Sequence, residues 1–459
     1  MDELEKLRPA GLLERYHITR CLLGIDSCVI ASARYTSRSG VSLDKTRLQN
    51  AMRRLIVRQP ALGTQVVGSS SGKPQLVRLR YIDVEQAIEG PFTSPLEEVF
   101  IHYLTRPFNV EVNRPLWRLG FCKDGTVVFV FHHAIGDGQS SISFHMALLD
   151  SLNTPTPLTI VELPPPLLPA VESLTDTAVS IIKLLHEVYG LFAPDSWQEG
   201  SQAWTGNAVV TVPTLQTNIS FWELNAPDAE RLLSLCRRRN CTLTAFLYVM
   251  ALEALSYTIA VRSPDILKQY KNLSTNVAVS LRRFTETPLT EICDQASKFH
   301  CFAPIACSVV EQGIFLPDSF PWDRAIEFCA RLHAGLGSVR QDIGAMAYLF
   351  GHFEEYFTGM LGKKRESTFT ISNIGKFPDD RKDGVADREW KVGSMYFGQC
   401  DATAGAAIKL NIVGAPDGSL GITFTWGKGA LDDDIAHSFL ETVKTWTAEL
   451  IAHDIRGRH

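Results

Sequence analysis

The sequence lacks the signatures of several common classes of protein. Its ten cysteines form no Cys-x-x-Cys pair, which argues against zinc-ribbon and thioredoxin-type sites. No basic run alternates with aromatic residues and the net charge is −5, so nucleic acid is not an expected partner. The segment Met1–Glu14 is charged and has no signal-peptide core, which favours a cytoplasmic protein.

Long uncharged apolar runs are also scarce. The best candidate for a membrane span, Ala245 to Val261, is near the minimum spanning length and carries Glu253 close to its middle. A charge at that depth is costly in lipid, so no transmembrane segment is expected. The pattern instead predicts a buried core helix that begins at a cap formed by Thr242 or Thr244.

The length of 459 residues exceeds one comfortable hydrophobic core, which predicts two domains of mixed helices and strands, an α+β arrangement. Six prolines between Thr154 and Ala170 predict an extended connector, because proline interrupts both helices and central strands. A helix over 176–192 is predicted to cross the junction. The expected units are residues 1–152, a connector over 153–213, and residues 214–459.

Apolar periodicity and turn residues predict further elements on both sides of the connector. The predicted helices cover 41–58, 140–149, 226–238, 242–261 and 431–453. The predicted strands cover 75–80, 126–131, 218–224, 276–279, 368–372, 406–413 and 420–426. The last two strands are separated by a turn with Asp-Gly and should form a hairpin.

The most informative segment is Phe-His-His-Ala-Ile-Gly-Asp-Gly at residues 131–138. It follows the predicted strand 126–131, whose continuous apolar and β-branched residues are typical of a buried strand. A histidine pair therefore lies where a rigid strand ends in a turn flanked by glycine. A side chain held in this way can serve as a fixed general base, although a buried histidine pair closing the strand end would give the same pattern.

His132, His133, Asp137 and Gly138 match the HHxxxDG signature, and the chain resembles the acyltransferase superfamily that includes peptide-synthetase condensation domains, plant BAHD enzymes and chloramphenicol acetyltransferase. Two other segments resemble the alcohol acetyltransferase branch. They are the opening Leu-Arg-Pro and Leu-Glu-Arg-Tyr-His within residues 7–17, and Ser-Asn-Ile-Gly at 372–375. The DFGWG motif of BAHD enzymes is missing, and the nearest segment is 395–399, which puts a close relation to that branch in doubt.

The resemblance implies two chloramphenicol-acetyltransferase-like lobes with the active site in a tunnel at their interface. It implies that His133 is the general base and that His132 shapes the turn. For Asp137 two roles are open: it could orient the imidazole, or it could pair with an arginine and lock the loop. The second role is preferred, with Arg282 as the first choice of partner and Arg283 as the alternative.

Two further expectations concern glycines in the motif and polar residues of the second lobe. Gly138, like Gly136, is expected to permit backbone bends and close approach of neighbouring groups. Ser372 and Asn373 are candidates for stabilising the oxyanion from the second lobe. A polar turn after a strand is the alternative explanation for this pair.

The expected activity is O-acyl transfer, in which an acetyl or other short acyl group moves from acyl-CoA to a hydroxyl of a small molecule. One imidazole can handle the proton in both directions, so direct transfer needs no acyl-enzyme. Acetyl-CoA is then a co-substrate, and no metal or bound cofactor is expected. The alternatives are a condensation-type enzyme that uses carrier-bound acyl groups and a non-catalytic binding protein of the same fold. A monomer is expected, because both lobes of the site lie on one chain.

Overall fold

The computed structural model describes residues 5–456 except 27, 70–71, 111, 113, 155–164, 193–198, 306–314, 379–387 and 401–402. The strands in this part of the chain are β1 Glu5–Pro9, β2 Val29–Ser37, β3 Thr64–Val67, β4 Gln75–Arg78, β5 Ile88–Phe92, β6 Trp117–Cys122, β7 Thr126–Phe131, β8 Ala203–Trp204, β9 Thr217–Leu224, β10 Asn272–Ser280, β11 Ala296–Pro304, β12 Phe369–Lys376, β13 Trp390–Gln399, β14 Ile408–Gly414 and β15 Leu420–Gly427.

The α-helices in the same part of the chain are α1 Leu12–Leu22, α2 Lys45–Arg58, α3 Val84–Ala87, α4 Leu96–Leu104, α5 Gly138–Asn153, α6 Val171–Leu174, α7 Ile181–Phe192, α8 Glu199–Gln202, α9 Ala226–Arg238, α10 Leu243–Arg262, α11 Asp265–Gln269, α12 Arg282–Thr285, α13 Trp322–Gly335, α14 Arg340–Ala345, α15 Phe353–Thr358 and α16 Asp433–Arg456. Helices and strands are thus mixed along the chain, as the α+β prediction requires.

The first large sheet has five strands in the order β13-β2-β7-β6-β5. All six residues of β7 are buried, and both neighbours of β7 are antiparallel to it. The edge strand β13 comes from the distant C-terminal part of the sequence and pairs with β2 from Trp390–Ser37 to Gln399–Val29. One strand therefore crosses from the later half of the sequence into the sheet that carries the histidine pair.

The second large sheet has seven strands, in the order β11-β10-β12-β14-β15-β9 with β8 paired beside β10. Strands β10, β12 and β14 run parallel, whereas β14 and β15 form the antiparallel hairpin that the Asp-Gly turn predicted. A large apolar core between this sheet and α9, α10, α13 and α16 buries residues such as Phe246, Phe369 and Phe424. The two sheets give the protein two lobes.

The connector between the lobes is described only in part. The prolines at 155, 157 and 164 lie outside the described residues, whereas 165–170 carry no helix or strand, which agrees with an extended connector. Helix α7 begins at Ile181, five residues after the predicted start at 176. Strand β8, also in the predicted connector, adds to the second sheet beside β10.

Helix α10 is the one helix, within the described residues, that is long and apolar enough to cross a membrane. Its mean hydropathy is 1.5, but 78% of the apolar window is buried inside the protein. The side chain of Thr242 caps the helix by accepting a hydrogen bond from the backbone of Ala245 at 3.2 Å. The prediction of a capped core helix is therefore confirmed.

Candidate active site

The histidine pair lies at the end of the central strand of the first sheet. After Phe131 the chain forms one 3₁₀ turn over His133–Ile135 and then enters α5. His132 is 1% exposed, and its Nδ1 accepts a hydrogen bond from the backbone of Ala134 at 3.0 Å. Burial lowers the pKa of His132 to about 4, so this imidazole is neutral and acts as a fixed acceptor inside the turn.

Asp137 makes its contacts away from the histidines. Its Oδ1 accepts from the backbone of Ser140 at 2.9 Å, which caps α5, and from Arg282 Nη2 at 3.0 Å. Its Oδ2 lies 3.3 Å from the backbone nitrogen of Gln295. The structure therefore brings Asp137 and Arg282 together as the preferred hypothesis stated, and the carboxylate ties the loop to the second half of the chain.

Arg282 extends this tie. Besides Asp137, its Nη1 donates to the backbone carbonyls of Pro288 and Glu291 at 2.9 and 2.8 Å. The side chains of Arg282 and Asp137 are only 6% and 2% exposed. The alternative partner, Arg283, is exposed. A buried ion pair with several hydrogen bonds thus holds the motif loop against the segment that follows β10.

Gly138 permits a close approach between the two lobes. A Cβ at this position would lie 2.5 Å from Ile374 Cγ2 on β12 and 3.1 Å from Phe397 Cζ on β13. Both neighbours are buried, so they have little room to move. The glycine is required here by contact and not by a left-handed backbone.

We expect Gly138→Ala to lower the free energy of unfolding by about 1–3 kcal/mol, because inserting a methyl group into a packed core forces its neighbours apart. The matched control is Gly337→Ala, since no atom lies within 4 Å of a Cβ at that exposed glycine. Urea unfolding of the two variants measures the difference. Equal stability of the two variants would contradict the close-approach explanation.

His133 faces a cavity of about 220 Å³ that takes residues from both sheets. Helix α1 supplies His17 and Arg20, strand β10 supplies Asn276, and strand β14 supplies Lys409. The side chain of His133 is 19% exposed. The geometry thus places the second histidine of the motif at a cavity between the lobes.

Two residues that the sequence analysis did not select surround His133. The Asp294 Oδ1 lies 3.5 Å from His133 Nδ1, and its Oδ2 lies 3.5 Å from His17 Nε2. The rings of His17 and His133 stack with centroids 3.8 Å apart and an angle of 3° between their planes. His17 belongs to the Leu-Glu-Arg-Tyr-His segment, which was a usable signal. Asp294 lies in an irregular segment before β11, and no motif or pattern in the sequence pointed to it.

The electrostatics of these three groups are coupled. Burial lowers the pKa of His133, but the opposing charge of Asp294 outweighs burial and leaves the pKa above its usual value. Burial raises the pKa of Asp294 to about 7, although the charge of His133 opposes this shift. Burial and the neighbouring His133 hold the pKa of His17 well below its usual value, so His17 is neutral.

The same three side chains offer ligand atoms that all lie within 4.8 Å of one another, a spacing that raises the question of a metal ion. The lone pair of an imidazole nitrogen lies in the ring plane. Two rings stacked in parallel at 3.8 Å cannot both direct a lone pair at one ion about 2.1 Å away. The arrangement suits two N–H groups sharing one carboxylate better than a metal centre.

A second buried network borders the cavity. Asp26 pairs with Arg20 at 3.3 Å and accepts from the thiol of Cys400, while Lys409 Nζ donates to the carbonyl of Cys400. Burial raises the pKa of Asp26, but Arg20 and Lys409 outweigh it and lower the pKa. Burial raises the pKa of the Cys400 thiol well above its usual value, so this cysteine is unsuited to act as a nucleophile.

Ser372 and Asn373 do not line the cavity that His133 faces, among the residues the structure describes. Asn373 donates to Thr244 Oγ1 at 3.1 Å and so faces α10, on the opposite side of β12 from the cavity-lining Thr370. Ser372 shares the face of Thr370 but lies further along the strand. Among the described residues, the amide side chains that border the cavity are those of Asn276 on the neighbouring strand β10 and Gln399 on β13.

Comparison with known proteins agrees with this geometry. The sequence profile of the alcohol acetyltransferase family matches residues 88–288, which include the histidine motif and Arg282. This chain is thus similar to alcohol acetyltransferases over these residues, which include parts of both large sheets.

Similar proteins match most of the chain. A probable alcohol acetyltransferase, FCK4 of Fusarium pseudograminearum, is 23% identical over 434 residues, 87% of this chain and 85% of that protein. An uncharacterized protein of Schizosaccharomyces pombe is 27% identical over 438 residues, 91% of each chain. The similarity of this chain to a probable alcohol acetyltransferase therefore continues on both sides of residues 88–288.

Solved structures show the fold. The TRI3 trichothecene 15-O-acetyltransferase of Fusarium sporotrichioides superposes with a TM-score of 0.69 at 11% identity, covering 96% of this chain and 94% of that one. The condensation domain of the Monacolin K polyketide synthase MokA gives a TM-score of 0.57 at 12% identity, with 98% of each chain covered. The chain thus has a two-lobed chloramphenicol-acetyltransferase-like fold, and the predicted fold class is confirmed.

Proposed function

We propose that this acyltransferase moves an acetyl or other short acyl group from acyl-CoA to a hydroxyl of a small molecule, with His133 as general base. The observation that carries the proposal is the position of His133. It is fixed at a strand end, faces a cavity between the lobes, and lies beside a buried carboxylate. The family match supports acyl transfer, and the name of a relative, a probable alcohol acetyltransferase, supports a hydroxyl acceptor.

The proposed reaction is a direct transfer in two steps. His133 takes the proton of the acceptor hydroxyl as the oxygen attacks the thioester carbonyl, and a tetrahedral intermediate forms. The carbon–sulfur bond then breaks, and the imidazolium returns the proton to the leaving thiolate. Because Nδ1 of His133 faces Asp294, Nε2 is the nitrogen available for both proton transfers.

The geometry favours direct transfer over an acyl-enzyme. Two cysteines border the cavity. Cys400 has a raised pKa and donates a hydrogen bond to Asp26, and the Cys28 thiol donates to the backbone carbonyl of Tyr103, so both are poor nucleophiles. In the proposed mechanism acetyl-CoA is a co-substrate and no bound cofactor takes part. The cavity takes residues from both large sheets of the chain, so one chain is enough to form the site, and we propose activity as a monomer.

The test is to incubate the purified full chain with acetyl-CoA and a panel of alcohols, and to detect the esters by mass spectrometry and the released CoA with a thiol reagent. Ester and free CoA in equal amounts would support the proposal. Transfer from an acylated carrier protein but not from acetyl-, butyryl- or hexanoyl-CoA would identify a condensation-type enzyme instead. No transfer from any of these donors would leave a binding protein of this fold and overturn the proposal.

A further inference from the structure

The buried carboxylate of Asp294 has one imidazole at each oxygen. Its side chain is fully buried, and its two oxygens each lie 3.5 Å from a different histidine nitrogen. A buried carboxylate is costly unless donors surround it. Among the described residues neither oxygen accepts a hydrogen bond of good geometry, and the two imidazole nitrogens at 3.5 Å are the groups placed to donate to it, so the protonation of each ring is tied to the same acid.

The hydrogen positions follow from this arrangement. His17 is neutral, its Nε2 faces Asp294, and its Nδ1 has no partner among the described residues. A neutral imidazole carries one N–H, and that N–H is best used on the carboxylate, which places it on Nε2 of His17. By the same argument the N–H of neutral His133 lies on Nδ1, and its free lone pair lies on Nε2.

We propose that Asp294 and His17 are positioning residues for His133: Asp294 holds it in the tautomer whose Nε2 can accept the proton of the acceptor hydroxyl, and His17 fixes Asp294 and the plane of the His133 ring. This inference rests on the proposed role of His133 as general base. It gives Asp294 the orienting role that the sequence had offered as one option for Asp137.

Two contacts and one electrostatic effect distinguish the positioning role from simple packing. Asp137 is taken up by Arg282 and the start of α5, so it cannot orient His133. The stacking of His17 on His133 at 3.8 Å blocks rotation of the base out of its plane. When His133 takes a proton, the carboxylate beside it stabilises the imidazolium, as the aspartate of a serine-protease triad does.

Other charged groups line the cavity that His133 faces. They lie in, or shortly before, the elements packed around His133. They are Arg20 on α1, Asp26 before β2, Lys298 on β11, Asp342 on α14, Glu366 before β12 and Lys409 on β14. The other titratable side chains at the cavity are Tyr16, Cys28 and Cys400, and His132 adjoins His133 in the chain. Of the acids, Asp294 has the strongest effect on the pKa of His133.

Asp294→Asn tests the proposal. We expect kcat to fall roughly tenfold to a hundredfold, part of the ~10²–10⁴-fold that a general base contributes, with little change in KM for acetyl-CoA. In the wild type the base is neutral only above its raised pKa, so activity is lost as the pH falls through that value. Without the carboxylate, burial dominates and lowers the pKa of His133, so the acidic limb of the pH–rate profile should move to lower pH.

A readout that needs no activity accompanies the kinetics. In protein labelled with ¹⁵N-histidine, the two ring nitrogens of neutral His133 should give the shifts of an Nδ1–H tautomer, and Asp294→Asn should perturb them. His17→Phe keeps a stacking ring but removes the contact to Asp294, so it should give a smaller loss, roughly severalfold. The matched control is Glu253→Gln, which alters another buried carboxylate, on α10, away from the cavity.

The outcomes separate this proposal from the proposed function. If the wild type transfers acyl groups but Asp294→Asn leaves the rate, the acidic limb and the ¹⁵N shifts unchanged, the positioning role is wrong and the function stands. If the wild type itself shows no transfer, the proposed function fails, while the ¹⁵N shifts still decide the tautomer. Loss of activity on chelation with recovery on adding zinc would show a metal ligand set and overturn the positioning role.

Discussion

Replacing His133 with alanine should lower kcat for acyl transfer by roughly 10²–10⁴-fold, the usual contribution of a positioned general base. The acceptor hydroxyl would keep its proton as it attacks, and water in the cavity would be a poor substitute. KM for acetyl-CoA should change little, because the imidazole acts on the reacting proton and holds no other part of the donor. Initial rates with saturating donor and acceptor measure the effect.

The chain should still fold with His133→Ala, because the ring lies at the cavity wall, but its stability should fall because the stack on His17 and the contact to Asp294 are lost. Circular dichroism and urea unfolding check this point. His102→Ala is a suitable control, since this histidine on α4 is 43% exposed and contacts Glu89 far along the chain from the motif. A rate for His133→Ala within a few-fold of the His102→Ala rate would remove His133 from the mechanism.

Arg282→Ala should lower the free energy of unfolding by about 3–5 kcal/mol, because it leaves the buried carboxylate of Asp137 without its cation. The backbone carbonyls of Pro288 and Glu291 lose a donor as well. A loss of this size is a large fraction of the stability of an ordinary protein, so the variant should unfold at a much lower urea concentration.

The neighbouring Arg283 offers a matched control, because it is exposed and Arg283→Ala should change the stability by less than about 0.5 kcal/mol. The double variant Asp137→Ala/Arg282→Ala should cost less than the sum of the two single changes, since neither charge is then left alone. If Arg282→Ala were no more damaging than Arg283→Ala, the ion pair would not be what holds the motif loop.

Local patterns in the sequence predicted many elements well. Strand β7 and helix α9 have the predicted bounds, and the β14–β15 hairpin pairs as its turn indicated. Helix α5 begins two residues before its predicted start, at Gly138, because Asp137 caps it. These elements carry their information in neighbouring residues, through apolar period, capping side chains and turn chemistry.

Long-range pairing was beyond the sequence. Strand β13 contains the segment 395–399, which the sequence analysis noted only as the nearest segment to the missing DFGWG motif. This strand pairs with β2, more than 350 residues away in the sequence. The composition of neither strand predicts which strand it pairs with. Strands β5 and β6, which complete the same sheet, are short or bounded by irregular segments and carry a weak alternating pattern.

The residues of the candidate site also divide into those that a local motif predicted and those that only the fold brings together. The HHxxxDG resemblance led to His133 and to the Asp137–Arg282 pair, because the motif fixes those residue types at fixed spacing. Asp294 reaches His133 through the fold alone, from a segment with no regular structure. The resemblance also selected Asn373, yet the alternation of side chains along β12 turns it toward α10 and away from the cavity.

The pairing of β13 with β2 has a consequence for how the chain is made. Translation delivers the four other strands of the first sheet within the first 131 residues, whereas β13 follows only at residues 390–399. Until then the edge of β2 stays open on the nascent chain, with backbone groups free to pair with another polypeptide. The ribosome must therefore add more than 250 further residues before β13 can pair with this edge. During this interval the open edge is a potential binding site for chaperones.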